Sequence, residues 1–190
     1  MPAAPSPVTL PDPEEMLFLV RWREGDARAG DALARRYLDP LRKFFRTRVR
    51  PEDLDDIVQQ VWVGIGTSVV SPTNTGIQTS LRAYIFGIAR HVLFRHLRAR
   101  YRAIPTDPVD SSIEALDPSI SRAVGQRLQA EQMSQALQSL PVDMHVLLEL
   151  RYFNQLSTAE LASTYGVPEG TIKSRLANAR KHLDLAMKHR

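Results

Sequence analysis

Two stretches of this 190-residue chain carry side chains whose types and spacing suit contact with a polyanion. The first reads LSTAELASTYGVPEGTIKSRLANARKHL, residues 156–183. On a helix over its second half, Ile172, Leu176, Ala179 and Leu183 share one face, while Gly170, Ser174, Ala177, Asn178 and Lys181 project from the other, flanked by Lys173, Arg175 and Arg180. Small outward residues let a helix lie deep in the major groove of DNA. Lys173, Ser174 and Asn178 can then reach base edges, and Arg175, Arg180 and Lys181 can pair with phosphates. Taken alone, such a face also suits a solvated surface helix.

The second stretch, residues 81–102, holds six arginines and no acid: Arg82, Arg90, Arg95, Arg98, Arg100 and Arg102. Charges of one sign repel one another unless an anion is present. Leu81, Ile85, Ile88 and Val92 mark a buried stripe, and Phe86 and Phe94 fall off it, Phe94 close to Arg90, His91 and Arg98 on the helical wheel. Aromatic faces among cations suit stacking on unpaired bases, with the cations on the backbone. The alternative for either ring is packing on a neighbouring helix. Residues 54–65 have a different character. Leu54, Ile57, Val58, Val61, Trp62 and Ile65 form a stripe, and opposite it lie Asp56, Gln59, Gln60 and Val63, a strip of acid, amides and one apolar residue that suits a protein partner better than nucleic acid.

These side chains need helices to hold them, and the helix signals are strong. Ser157 and Glu160 form a capping box, Gly166 can take the left-handed conformation that ends a helix, and Pro168 suits the first turn of the next, which together predict a helix-turn-helix. Asp12, Pro13 and Glu15 provide a cap, a first-turn proline and a capping-box acid for a first helix ending at Gly25. A second helix carries Leu33, Tyr37, Leu41, Phe45 and Val49 at four-residue intervals, with a bend at Pro40. Pro51 opens a third, a loop covers 66–80, and a fourth runs to about Arg102. Further helices are expected over 126–139, 141–153, 157–165 and 168–187, and no strand pattern competes. Between them Pro105, Pro108 and Pro118 occur with Asp107, Asp110, Glu114 and Asp117, a linker composition. The expected fold is all-α: two small helical domains joined by a flexible linker. The divisions are a flexible tail (1–11), a first domain (12–102), a mobile linker (103–125) and a separately folded helix-turn-helix domain (126–190).

Composition narrows the function classes. A net charge of +4 is too small to identify a nucleic-acid partner by itself. The absence of cysteine excludes disulfides, thiolate nucleophiles and cysteine zinc sites, and fits a reducing cytosol. The five histidines lack a ligand spacing, so neither metal nor cofactor is expected. No serine, tyrosine or histidine stands in a spacing that supplies a base and an oxyanion stabiliser, so neither an enzyme nor a small-molecule substrate is expected. No apolar run reaches the ~18 residues of a membrane span, and the start of the chain lacks the pattern of a signal peptide. The expected location is the cytoplasm.

Three segments, in order, resemble one family. PEDLDDIVQQVWVGI (51–65), LRAYIFGIARHVLFRHLRAR (81–100) and GVPEGTIKSRLANAR (166–180) are similar to the sigma-70 superfamily in its compact extracytoplasmic-function branch. The resemblance runs over roughly residues 12–188. It implies that Asp56, Gln59 and Gln60, with Val63 beside them, meet the clamp helices of the largest subunit of RNA polymerase core, and that the second domain meets the flap. It implies a minus-ten surface of Arg82, Arg90, His91, Phe94 and Arg98, with the 66–80 loop holding a flipped base. At the minus-thirty-five element of promoter DNA, Arg151 and Ser157 are implied on phosphates, and Lys173, Ser174, Ala177 and Asn178 facing bases. An anti-sigma factor is a further partner such proteins often have. His91 stands where the family usually has Asn, Arg95 where many members have Asp, and Gln60 where Glu is frequent. The competing reading is a helix-turn-helix repressor or activator acting as a dimer on a two-fold symmetric site.

Overall fold

Asp12 starts the first helix by accepting a hydrogen bond from the Glu14 N–H at 3.0 Å, which satisfies one of the free donors of a helix start. The computed structural model describes residues 12–70, 80–101 and 126–188. All the elements described are helical: α1 (Pro13–Arg23), α2 (Ala27–Arg46), α3 (Leu54–Val70) and α4 (Leu81–Tyr101) in the first half, α5 (Gln126–Gln138), α6 (Val142–Tyr152), α7 (Thr158–Tyr165) and α8 (Glu169–Lys188) in the second. The expected tail (1–11) and linker (103–125) lie outside the described residues.

In the first half, Gly25 adopts φ 99°, and Asp26 caps α2 by accepting from Arg28 N and Ala29 N. Glu15, expected to close a capping box, turns inward instead. It accepts from the Tyr37 hydroxyl at 2.8 Å and pairs with Arg36 at 3.0 Å, because a buried phenol needs an acceptor more than an exposed helix end does. Helix α2 buries Leu33, Tyr37, Leu41 and Phe45 as their spacing predicts, and Pro40 stays within one continuous helix. Gly30 lets α1 approach closely: a Cβ there would meet the Trp22 indole at 2.7 Å. Pro51 opens a short 3-10 turn, Pro51–Asp53, before α3. That helix continues to Val70, so the first five residues of the expected 66–80 loop are helical, and 71–79 lie outside the described residues.

Helix α4 is apolar on more than one side because it is covered on more than one side. Leu81, Ile85, Ala89, Val92, Leu93 and Leu97 are buried, and so is Phe86, 1% exposed, its ring edge-on to Phe44 at 5.6 Å. Packing on a neighbouring helix therefore accounts for Phe86. In the second half α8 packs on α5, α6 and α7, burying Ile172, Leu176 and Ala179 against Leu147, Leu150, Leu156 and Leu161. The halves also touch. Helix α4 packs on α7, and the buried apolar side chains of both halves form one cluster.

Candidate nucleic-acid and polymerase interfaces

The helix-turn-helix is built by local chemistry. Ser157 Oγ accepts from Glu160 N at 3.2 Å, and Glu160 Oε2 accepts from Ser157 N at 2.7 Å, a reciprocal cap for α7. Gly166, at φ 64° and ψ 36°, ends α7 and sends its N–H back to the carbonyls of Ala162 and Ser163. Thr158 donates to Glu169 at 2.7 Å, tying the starts of α7 and α8 together. With Ile172, Leu176 and Ala179 inward, Lys173, Ser174, Arg175, Ala177, Asn178, Arg180 and Lys181 are all exposed, as their spacing predicts. Lys173 pairs with Glu169 at 3.0 Å, and hydrogen bonds from Thr158 and Lys173 hold the Glu169 carboxyl below its ordinary range. Ser174 donates to Thr171 O at 2.9 Å and Arg180 to Leu176 O at 3.2 Å, so these polar groups already lean along the helix. Arg151 and Ser157 stand on the preceding elements, at the end of α6 and the start of α7. Arg151, half-buried, donates to Leu156 O at 2.9 Å across the α6–α7 turn, and Ser157, 6% exposed, spends its hydroxyl on the cap.

On α3, Asp56, Gln59 and Val63 are exposed, Val63 by 58%, and Gln60 is half-buried. Gln60 donates to Asp56 at 2.7 Å and accepts from Arg95 of α4 at 2.8 Å. The strip is thus braced from the next helix, a link between two positions that the sequence presents only as separate departures from the family pattern.

The minus-ten set divides. Arg82, His91 and Arg98 are exposed, and Arg98 donates to Phe94 O at 3.1 Å. Arg90 and Phe94 are half-buried. Arg90 turns to the second half, pairs with Asp143 of α6 at 3.1 Å, and lies over the rings of Tyr165 at 4.0 Å and Phe94 at 4.9 Å. A carboxylate and two aromatic faces supply what a guanidinium needs without nucleic acid. Phe94 accordingly packs against the core from its edge.

Other contacts between the halves had no announcement in the sequence. Arg48, buried, bonds to the Phe44 carbonyl and to Glu149 of α6. Burial raises the Glu149 carboxyl, against the pull of Arg48. His145, 3.8 Å from that carboxylate, is pushed down to about 3 by burial and by the Arg48 charge. The carboxylate is committed to Arg48, so the imidazole stays neutral. Ser80, which caps α4 by accepting from Ala83 N at 3.2 Å, donates to Glu160 of the α7 cap. A Ser just before an apolar run is a legible cap signal. Its second partner was not. Beside these contacts a cleft of about 730 Å³ separates Arg36, Lys43 and Arg82 from Leu137 and Phe153.

Among the described residues no group of three His, Asp or Glu side chains can hold a metal ion, and no helix is long and apolar enough to cross a membrane. Residues 33–103 match the family described as Sigma-70 region 2, and residues 130–183 match Sigma-70, region 4. The chain is 30% identical over 148 residues to RNA polymerase sigma factor HrpL of Pseudomonas syringae pv. syringae, covering 75% of this chain and 78% of that one. It is 25% identical over 180 residues to the ECF RNA polymerase sigma-E factor of Escherichia coli, covering 90% and 92%. In fold it is similar to CnrH, solved in complex with the cytosolic domain of CnrY, at a TM-score of 0.67 and 19% identity over 93% of this chain and 98% of that one. The sigma factor RpoE of Bartonella quintana, solved with the anti-sigma factor NepR, gives 0.61 and 24% over 83% and 96%. The chain belongs to the sigma-70 family, in its extracytoplasmic-function branch, with region 2 in the first helical half and region 4 in the second.

Proposed function

We propose that the exposed faces of this alternative sigma factor divide three tasks: docking on RNA polymerase core, reading the minus-thirty-five element, and opening the minus-ten element. The strip of Asp56, Gln59, Gln60 and Val63 docks on the clamp helices of the largest subunit, and region 4 meets the flap. The α8 face of Lys173, Ser174, Arg175, Ala177, Asn178, Arg180 and Lys181 enters the major groove. Arg82, Arg90, His91, Phe94 and Arg98 take the minus-ten strand, with Arg90 and Phe94 released from region 4. The observation that carries the proposal is the α8 face, a continuous exposed array of small, amide and basic side chains over a buried apolar stripe. Arg151 and Ser157 fix the turn by which α6 leads into α7 and meet phosphates beside the groove.

In this reading the protein works in the cytoplasm and catalyses nothing itself; the polymerase does the chemistry. An anti-sigma factor is a further partner, on the precedent of the RpoE structure, which is of a complex with NepR. The test is the native mass of the chain with core polymerase. One copy per core, and a monomer when alone, is the expected result; a stable dimer that ignores core and binds a symmetric DNA site instead is the behaviour of a repressor.

A further inference from the structure

The cleft of about 730 Å³ has walls of opposite character. On the first half, Arg36, Lys43 and Arg46 follow one another at spacings of seven and three along α2, which puts them on one side of that helix, and Arg82 joins them from the start of α4. The facing wall is Met133 and Leu137 of α5 and Phe153 just past α6, with the side-chain amides of Gln138 and Asn154 beside them. Most of the cationic charge is uncommitted. Arg36 is held by Asp12 at 2.8 Å and Glu15 at 3.0 Å, but among the described residues Lys43 and Arg46 have neither an ion pair nor a hydrogen bond. Arg82 has the Tyr37 hydroxyl for company, whose proton already goes to Glu15. Glu149, the acid that lines the cleft among the described residues, is taken by Arg48. Opposite these cations Phe153 is 69% exposed and Met133 38%, so the second wall presents apolar surface to water.

We propose that this cleft binds a small aromatic polyanion of the nucleoside polyphosphate class, with its phosphates on Lys43, Arg46 and Arg82 and its base on Phe153. The volume lies within the roughly 300–1,000 Å³ of small-ligand sites. Three free cations select against a monoanion. A single carboxylate leaves most of that charge unpaired, whereas a chain of two or three phosphates gives each cation a charged acceptor. The uncovered Phe153 ring offers a planar base a face to stack on, and stacking takes that ring out of water. Gln138 and Asn154 each carry an amide donor and an amide acceptor, the groups that pair with a base edge. Of the cations named, only Arg82 belongs to a surface assigned above, so the site is additional to polymerase docking and promoter reading.

The test is equilibrium binding of ATP and GTP analogues, each with a fluorophore on its ribose, to the full chain. Unlabelled ATP or GTP should displace its own analogue, and inorganic tripolyphosphate or the bare nucleoside should each need at least tenfold higher concentration. Lys43→Ala combined with Arg46→Ala, and Phe153→Ala separately, should weaken binding fivefold or more; all three side chains are exposed, so the fold is retained. Arg42→Ala removes an exposed cation of α2 that does not line the cleft, and its binding should stay within twofold of wild type. Failure of both probes to saturate below about 1 mM overturns the proposal. So does displacement by tripolyphosphate at the same concentration as the nucleotide, which removes the base from the site. Loss of binding in Lys181→Ala but not in the paired α2 variant puts the anion on the α8 face and likewise overturns the cleft. No polymerase or promoter enters the assay, so each of these outcomes leaves the sigma reading standing.

Discussion

Arg95 of α4 donates to Gln60 of α3 at 2.8 Å, and Gln60 passes the link on to Asp56 at 2.7 Å. The three residues form a brace that presents the Asp56 carboxylate on the exposed side of α3, and it ties the strip proposed to meet polymerase to the helix proposed for the minus-ten element.

Asp56→Arg should weaken binding to core polymerase tenfold or more with no change in the circular dichroism spectrum. The new cation meets Arg95 across Gln60 and reverses the charge of the strip, while the buried side of α3 is untouched. Pull-down with core measures it, and undiminished binding by a folded variant removes Asp56 from the interface.

Gln60→Glu tests the brace. The new carboxylate gains Arg95 as an ion partner but stands beside Asp56, and exposed pairs contribute only about 0–1 kcal/mol, so the melting temperature should stay within a few degrees of the wild type. Arg95→Ala in the Gln60→Glu background should then lower stability more than it does in the wild type. Equal effects in thermal denaturation mean that the 60–95 contact does not form in solution.

The two helices proposed to meet DNA should fail in different ways. Asn178→Ala and Ser174→Ala remove groups from the α8 face, and loss of a base contact should cost about 1–3 kcal/mol on a duplex promoter. A preformed bubble over the minus-ten element should not restore it. Phe94→Ala should slow opening on the duplex and be rescued by the bubble. Normal behaviour of Phe94→Ala on both templates identifies the ring as a packing residue, in keeping with its half-buried edge against the core.

His145 provides a pH signature. Its imidazole is held down to about 3 by burial and the Arg48 charge, against an ordinary value of 6.5, so the folded state binds its proton less readily than the unfolded chain. The stability this confers is present above pH 6.5 and is lost as pH falls from 6.5 toward 3, by up to about 1.4 kcal/mol per pH unit. Glu149, raised by burial, takes up a proton in the folded state and works in the opposite direction on the acid side. His145→Gln lacks the imidazole, so its stability deficit relative to wild type at pH 7 should shrink as pH drops to 5. A deficit that stays constant in urea titrations across this range contradicts a neutral, buried His145.

Much of the fold was legible because each local signal agreed with the next. Four-residue spacing in Leu33, Tyr37, Leu41 and Phe45, the Ser157–Glu160 box and Gly166 all reappear as read, and the α8 face follows directly from the positions of Ile172, Leu176 and Ala179. The misreadings lie where a side chain's partner is distant in sequence. Glu15 looks like a cap until Tyr37 is beside it, and Phe86 looks like a stacking ring until Phe44 meets it. Arg90 is not among the misreadings, but its contacts were equally hidden: among six arginines its charge suggests DNA, and only the fold brings Asp143 and Tyr165 to it as well. The polar contacts between halves leave no periodic trace, because they join single residues far apart in the sequence.

Run-off transcription with purified core polymerase, followed by mapping of start sites, tests the promoter-directing role most directly. The wild-type chain should produce transcripts from a defined set of starts that core alone does not use, and Asn178→Ala should lower the yield on duplex templates. Starts no different from those of core alone, at chain concentrations that saturate the polymerase, contradict that role.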